Sequence, residues 1–501
     1  MNDNKNYVIR NVAKFFAGRS IFITGGTGFI GKVLIEKLLR SCPEIDKLYL
    51  LIRDKKGVNI EERLKKIFSL PLFDKLNEMN PSAYKKIVPI FGDITKKNLG
   101  MNPIDRQIII DNVSIIIHNA ANVRFDDDLQ NAIFTNTRSI HEICLLGESM
   151  KKLEVLLHIS STYAHCDKPV VHEIPYKPSD FNWMDAIKIA ENVDDYLLRV
   201  LTSKLIGNMP NTYIFTKKLA EDVINYYSDR LPCVICRPSI VINTIDDPIP
   251  GWIDNFNGPV GLMVAGGKGL LNGAYFNSDK VMDYIPVDLA VKVFILAIYT
   301  RGQKTVEQHP TAMVYNESSY KLKKITLQYI ISKSLEYNQI NPLSNPLWYP
   351  TVIIFSNFYL YYIYFIFLQL LPAMVIDQIL KLMGHKPILA KIQRKIYISS
   401  VFLSYFIDHS WDFVNEKAVQ LLDSVAAEDR VVFASKSIYE ISEDNALKSS
   451  ILGSKKYLLK EEMNIEKNQR GLRRMWYLHI ITRTLFYIFC LWLVLHMWNL
   501  I

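Results

Sequence analysis

The sequence predicts an α/β protein: a parallel β-sheet wrapped by helices, then a small, mainly helical C-terminal domain, then a C-terminal membrane segment. Three observations carry this. Short apolar runs alternate with helical stretches through roughly the first two-thirds of the chain, the pattern of a parallel sheet covered on both faces. A glycine-rich turn, Thr24-Gly25-Gly26-Thr27-Gly28-Phe29-Ile30-Gly31, joins the first apolar run to the first helical one. Two stretches without a charge, residues 338–376 and 484–501, interrupt the last third.

Composition narrows the class. The chain has 501 residues, enough for two or three domains, and a formal charge of +9. Its Lys and Arg are dispersed, and no basic helix is interleaved with aromatics, so nucleic acid is not the expected partner. An anionic cofactor and an acidic membrane surface account for the charge. A 49% hydrophobic content and a mean hydropathy of +0.07 are high for a purely soluble enzyme. The six cysteines are scattered, as in a reducing compartment. Cys233-Val-Ile-Cys236 has the CxxC spacing but lies in a strand-like run with no second pair, so no metal is expected. Residues 1–18 lack an apolar core of signal-peptide length.

The first strand, 21–24, runs into the glycine turn, and a helix over 32–40 follows. In such a turn Gly25 permits the tight bend, Gly28 lets the backbone approach a pyrophosphate, and Gly31 lets helix and strand pack closely. Thr27, Phe29 and Ile30 complete the cradle, and helix N–H groups face the phosphates. The turn therefore predicts a dinucleotide. After the second strand, 48–52, come Arg53, Asp54, Lys55 and Lys56. A residue there meets the adenosine ribose, and three cations to one anion favour a 2′-phosphate, hence NADPH. The third strand, 87–91, is followed by Gly92-Asp93-Ile94, where Asp93 either hydrogen-bonds the adenine or caps the next turn.

The fourth and fifth strands are 114–118 and 155–160. Ser160, Ser161 and Thr162 close the fifth, at the strand edge where a ligand crevice lies; each hydroxyl either polarises a carbonyl or caps a turn. Between the fifth strand and the sixth, 233–237, Tyr213-Ile-Phe-Thr-Lys217 opens a helix read over 217–227. Positions i and i+4 share a helix face, and an ammonium beside a phenol lowers the phenol pKa. Such a pair exchanges a proton with a carbonyl oxygen, and Lys217 also holds a nicotinamide ribose. The same spacing recurs at Tyr320/Lys324 and Tyr329/Lys333, where the α/β region is ending; these are read as surface residues.

The domain reading is 1–330 for the nucleotide-binding domain, 345–377 for an apolar segment that spans or lies on a membrane, 378–465 for a helical domain and 478–501 for a C-terminal anchor. Ten of the eighteen residues in 484–501 are Leu, Ile, Val or Phe, which favour insertion by roughly 3 to 6 kcal/mol. Arg470, Arg473, Arg474 and Arg483 precede them and keep that side cytosolic.

Several stretches resemble the eukaryotic fatty acyl-CoA reductases: the glycine turn, Leu51-Ile52-Arg53, His118-Asn119-Ala120-Ala121-Asn122-Val123-Arg124-Phe125, residues 211–221 with Asn211-Thr212-Tyr213 at their start, Arg237-Pro238-Ser239-Ile240-Val241, Pro250-Gly251-Trp252-Ile253-Asp254-Asn255 and Ile285-Pro286-Val287-Asp288. Leu371-Pro372-Ala373, Trp411-Asp412-Phe413, Asp429-Arg430 and residues 453–461 resemble that family's C-terminal domain. The resemblance implies a Rossmann-type extended short-chain dehydrogenase that reduces a long-chain acyl-CoA with NADPH to a primary alcohol and releases CoA. It makes Tyr213 and Lys217 the catalytic pair and sets Ile94 and Pro238 beside the cofactor. Ser160-Ser161-Thr162-Tyr163 stands where the family has Ser-Thr-Ala-Tyr, leaving Ser160 or Ser161 to polarise the carbonyl, with Ser160 expected. Ser139 stands where the family tends to glycine, a change that bears on helix packing. The expected partners are acyl-CoA and membrane lipid. The expected location is the endoplasmic reticulum, with a peroxisomal membrane as the other. The competing readings are a membrane-associated dehydrogenase of a sterol or other lipid carbonyl, and a non-catalytic lipid-handling protein.

Overall fold

Seven strands, each hydrogen-bonded in parallel to its neighbours, form the central sheet: β1 (Ser20–Thr24), β2 (Leu48–Ile52), β3 (Ile87–Phe91), β4 (Val113–His118), β5 (Val155–Ile159), β6 (Cys233–Pro238) and β7 (Met313–Glu317). Their order is β7-β6-β5-β4-β1-β2-β3. The computed structural model describes residues 8–53, 59–178, 181–277, 279–320, 325–434 and 442–498. Every residue of β1, β2, β4, β5, β6 and β7 is buried, which is why all of these but β7 read as largely apolar runs. β3 lies at the sheet edge, and there Pro89 costs the ladder little.

The order reverses between β1 and β4, so the crevice opens beyond the C-terminal ends of those two strands. Helix α1 (Phe29–Ser41) leaves the glycine turn and buries an almost continuous stretch, Gly31 to Leu39. Short helix α2 (Ile60–Phe68) follows β2. Helix α3 (Thr212–Tyr227) begins five residues earlier than residue 217, because the Asn211 side chain accepts the Ile214 N–H at 2.9 Å and caps it. Tyr213 therefore sits in the first turn of α3. Helix α4 (Val287–Gly302) is buried along nearly its whole length against the sheet.

The chain divides into two compact units. The first comprises residues 1–250, 283–324 and 411–441 and holds the sheet. Its last segment returns to the sheet unit: Asp412–Phe413 pairs in parallel with Val170–Val171, and Trp411 Nε1 donates to the Cys166 carbonyl at 2.9 Å. The Glu173 carboxylate accepts N–H groups from Lys417, Ala418 and Asn316.

The second unit comprises residues 251–282, 325–410 and 442–501. In it, Gly273–Tyr275 pairs with Ile353–Phe355, and three long helices follow: α5 (Phe358–Leu382), α6 (Leu389–Asp408) and α7 (Ile465–Trp498). Gly251, at φ +75°, and Gly453 press together: a Cβ on Gly453 would collide with the Gly251 carbonyl and one on Gly251 with the Ser449 carbonyl, 2.6 Å away, which joins two of the family-like stretches. Among the described residues, α5 is the helix long and apolar enough to cross a membrane, at mean hydropathy 1.8. Residues 499–501 of the expected anchor, and Lys55 and Lys56 after β2, lie outside the described residues.

Candidate active site

The glycine turn sits against the loop after β4. Gly25 has φ +71°, and a Cβ there would come within 2.6 Å of the Ala120 nitrogen. Asn119 Nδ2 donates to the Gly25 carbonyl at 3.1 Å, and the Ala120 N–H donates to Thr24 Oγ1 at 3.2 Å. At Gly31 a Cβ would fall 2.3 Å from the Gly25 oxygen. No larger residue fits either place with this backbone. Gly28 is the N-cap of α1 and supplies no side-chain cap, and the positive end of a helix dipole favours an anion at such a terminus. Thr27, Phe29 and Ile30 are half-buried around this rim.

Arg53 is exposed at the end of β2. A residue not singled out from the sequence, Arg63 of α2, reaches across it: NH1 donates to the Arg53 carbonyl at 3.0 Å and NH2 to Thr27 Oγ1 at 3.2 Å. Its position in the first turn of a helix after a loop gave no sequence signal. Asp93 accepts the Thr95 N–H at 2.9 Å and its hydroxyl at 2.8 Å, the turn-capping alternative; Ile94 beside it is half-buried. Pro238 ends β6 and is buried.

Beyond β5 the two serines part. The Ser160 hydroxyl donates to Glu221 Oε1 at 2.5 Å, inside a buried cluster. There Glu221 also meets His165 Nε2 at 2.8 Å and accepts from Arg237 Nε and NH2 at 2.9 and 2.6 Å. Arg237, wholly buried, donates further to the His172 and Ile174 carbonyls. Burial would raise the Glu221 carboxyl, but Arg237 and His165 outweigh it and hold it well below the usual range. The Ser161 side chain instead accepts the Tyr163 N–H at 3.3 Å, capping the next turn, and faces the Tyr213 phenol. Tyr213, Ser161 and Lys217 are thus gathered at the end of β5, with the Phe125 ring 5.9 Å from that of Tyr213.

Lys217, 2% exposed, donates to the Ile159 carbonyl at 2.7 Å. Burial brings its pKa down to about 8, against the pull of Glu221. The lowered phenol pKa expected from the Tyr213/Lys217 spacing is corrected here. Burial raises Tyr213 to about 12, with the Ser161 hydrogen bond opposing. The ammonium is turned to the Ile159 carbonyl, and desolvation of the phenolate prevails. Tyr213 is therefore a protonated acid at neutral pH.

The other Tyr/Lys spacings are placed elsewhere. Tyr329 donates to Asp444 at 2.7 Å and Lys333 pairs with Glu336; Lys324 lies outside the described residues. His118 links the turn to the wide helical turn Ile133–Arg138: Thr24 Oγ1 lies 2.9 Å from its Nδ1 and Ser139 Oγ 3.2 Å from its Nε2. Ser139 donates onward to the Thr135 carbonyl at 2.6 Å. Burial, then the Lys217 charge, lower His118 to about 3, so it stays neutral. The hydroxyl at 139 thus closes a chain of hydrogen bonds behind the crevice.

Two family models described as male sterility protein match this chain, an NAD-binding one over residues 23–294 and a second over 368–461. Fatty acyl-CoA reductase 1 of Homo sapiens is 35% identical over 457 residues, 91% of this chain and 87% of that protein. Fatty acyl-CoA reductase wat of Drosophila melanogaster is 34% identical over 479 residues, 95% and 92% of the two chains. The chain belongs to the fatty acyl-CoA reductase family. The glycine turn of this reductase, with room for backbone and no side chain at Gly25 and Gly31, fits the nicotinamide dinucleotide of an NAD-binding domain. In fold the reductase is similar to the reductase domain of a nonribosomal peptide synthetase from Mycobacterium tuberculosis, at TM-score 0.57 and 14% identity over 89% of this chain and 96% of that one. It is similar likewise to the terminal R domain of the myxalamid pathway, at TM-score 0.55 and 18% identity over 89% and 93%.

Proposed function

We propose that this reductase converts a long-chain acyl-CoA to the primary alcohol with NADPH, releasing CoA. The observation that carries the reading is the meeting of Ser161, Tyr213 and, one helical turn on, Lys217 at the end of β5. The bound dinucleotide supplies hydride. The Ser161 hydroxyl hydrogen-bonds the thioester carbonyl oxygen, and Tyr213, protonated at neutral pH, delivers a proton to that oxygen. Lys217 holds the nicotinamide ribose. Ser160 does not touch substrate in this reading; it positions the loop through Glu221. The resulting hemithioacetal loses CoA as the thiol, leaving an aldehyde that a second reduction at the same residues takes to the alcohol. The purified protein is expected to consume two NADPH per CoA released; aldehyde release after one NADPH would refute the alcohol assignment.

Arg53 and Arg63 favour the 2′-phosphate form. Arg63→Ala is expected to raise the KM for NADPH by roughly tenfold, about one charge-assisted hydrogen bond, and to leave that for NADH unchanged. Equal losses with both would show that Arg63 serves only the turn. The tail helix α7 anchors the protein in the endoplasmic reticulum or peroxisomal membrane, with the sheet unit in the cytosol. Its exposed Leu485, Phe486, Ile488, Phe489 and Leu491 support this.

A further inference from the structure

We infer that helices α5 and α6 form a hairpin lying in the plane of an anionic membrane surface, one face on the protein and the other in the lipid of a single leaflet, so that α5 does not cross the bilayer. Length and hydropathy alone allow α5 to cross. Its inner face does not. Gln369, midway along α5 and 4% exposed, donates to the Gly273 carbonyl at 3.4 Å, and the Tyr364 hydroxyl donates to the Asn272 carbonyl at 3.3 Å. From α6, Gln393 donates to the Leu270 carbonyl at 2.9 Å. Tyr361 and Phe365 are buried, and Tyr397 of α6 stacks on Phe365 at 4.7 Å. Both helices are thus fastened along their length to the strand segment 270–275 of the same unit. A crossing helix would carry that two-stranded segment into hydrocarbon, where an open sheet has no water to satisfy its edges.

The outer face is different in kind. Leu360, Ile363, Phe367, Leu371 and Met374 recur every three or four residues and are all exposed, one apolar stripe left uncovered among the described residues. At the hairpin end the exposed groups are Lys381, Lys386, Lys391, Arg394 and Lys395, and no acid occurs between Asp377 and Asp408. Asp377 itself is buried, its carboxylate accepting the N–H groups of Ile388, Leu389 and Ala390 at 2.9–3.0 Å. An apolar stripe ending in unopposed cations is the signature of a helix in the interface of an anionic leaflet; a protein partner would have to supply both a long apolar groove and acids at one end. The hairpin adds to the tail anchor proposed above and does not depend on the substrate.

The test uses the full-length protein with Cys490→Ser, the other five cysteines being buried. It is reconstituted into sealed phosphatidylcholine vesicles with or without phosphatidylserine. An environment-sensitive fluorophore at Phe367→Cys should shift to the blue and be quenched by shallow spin-labelled lipids, more strongly with phosphatidylserine. Lys391→Glu/Arg394→Glu/Lys395→Glu should abolish that dependence on phosphatidylserine. A membrane-impermeant maleimide should reach Lys386→Cys from the same side as Glu62→Cys on the sheet unit. Labelling of the two from opposite sides, or a Phe367→Cys probe that senses no lipid in protein that stays with the vesicles, overturns the proposal. Protein that leaves the vesicles refutes the tail anchor instead, and the Phe367→Cys probe still reads the hairpin when vesicles are added.

Discussion

Tyr213→Phe is expected to lower kcat/KM by about 10²- to 10⁴-fold, the range of a lost general acid, while dinucleotide binding by fluorescence titration stays as it was. The ring remains, so its contact with Phe125 is kept; what is lost is the proton and the link to Ser161. Turnover within a few-fold of the unsubstituted protein would remove Tyr213 from the chemistry. The pH profile gives a second readout. Lys217 titrates at about 8, so it is charged below that pH and neutral above it. A falling limb near pH 8 is expected in kcat/KM, and it should be missing in Lys217→Met.

Glu221→Ala should be the most destabilising single change near the site. Glu221 is 1% exposed and faces Arg237, which is fully buried, at 2.6 Å. Removing the carboxylate strands the guanidinium and frees Ser160 and His165, and breaking such a buried pair costs about 3–5 kcal/mol. A denaturant titration followed by circular dichroism should show an earlier first transition; an unmoved midpoint would refute the argument. The sign with pH also follows. Because the folded pKa of Glu221 lies well below its ordinary value of 4.5, its contribution is complete above that pH and is lost as acid approaches the folded value. In Glu221→Gln the falling limb of activity should move toward lower pH, since Glu221 opposes the desolvation of Lys217. A purely structural role would leave that limb where it is.

Six of the seven strands were legible: five because a strand buried on both faces is written mainly in apolar residues, and the edge strand β3 because its run Ile87–Phe91 is apolar although only partly buried. β7 was not, because it contains Asn316 and Glu317, buried polar residues that no periodicity anticipates. The glycine turn was legible in full, since Gly25 and Gly31 meet backbone where a side chain has no room. Ser160 and Ser161 could not be told apart by spacing: successive residues at a strand end point to opposite sides, and only the fold says which side holds Tyr213 and which Glu221. Arg63 and the interleaving of the two units depend on contacts between residues far apart in sequence, and local pattern carries none of that.

The returning segment Trp411-Asp412-Phe413 has a practical consequence. Its two rings rest on Tyr163, 5.5 and 5.0 Å away, immediately after the Ser160–Ser161 pair. The Phe413 carbonyl accepts the Ser318 hydroxyl at 2.7 Å. A shortened protein cut where the nucleotide-binding pattern ends, near residue 330, would keep every residue assigned to the chemistry. It would also strip the Val170–Val171 edge, two of the three N–H donors of Glu173 and the cover of Tyr163. A soluble catalytic fragment must therefore be sought by replacing residues 325–410 with a linker, leaving the returning segment in place.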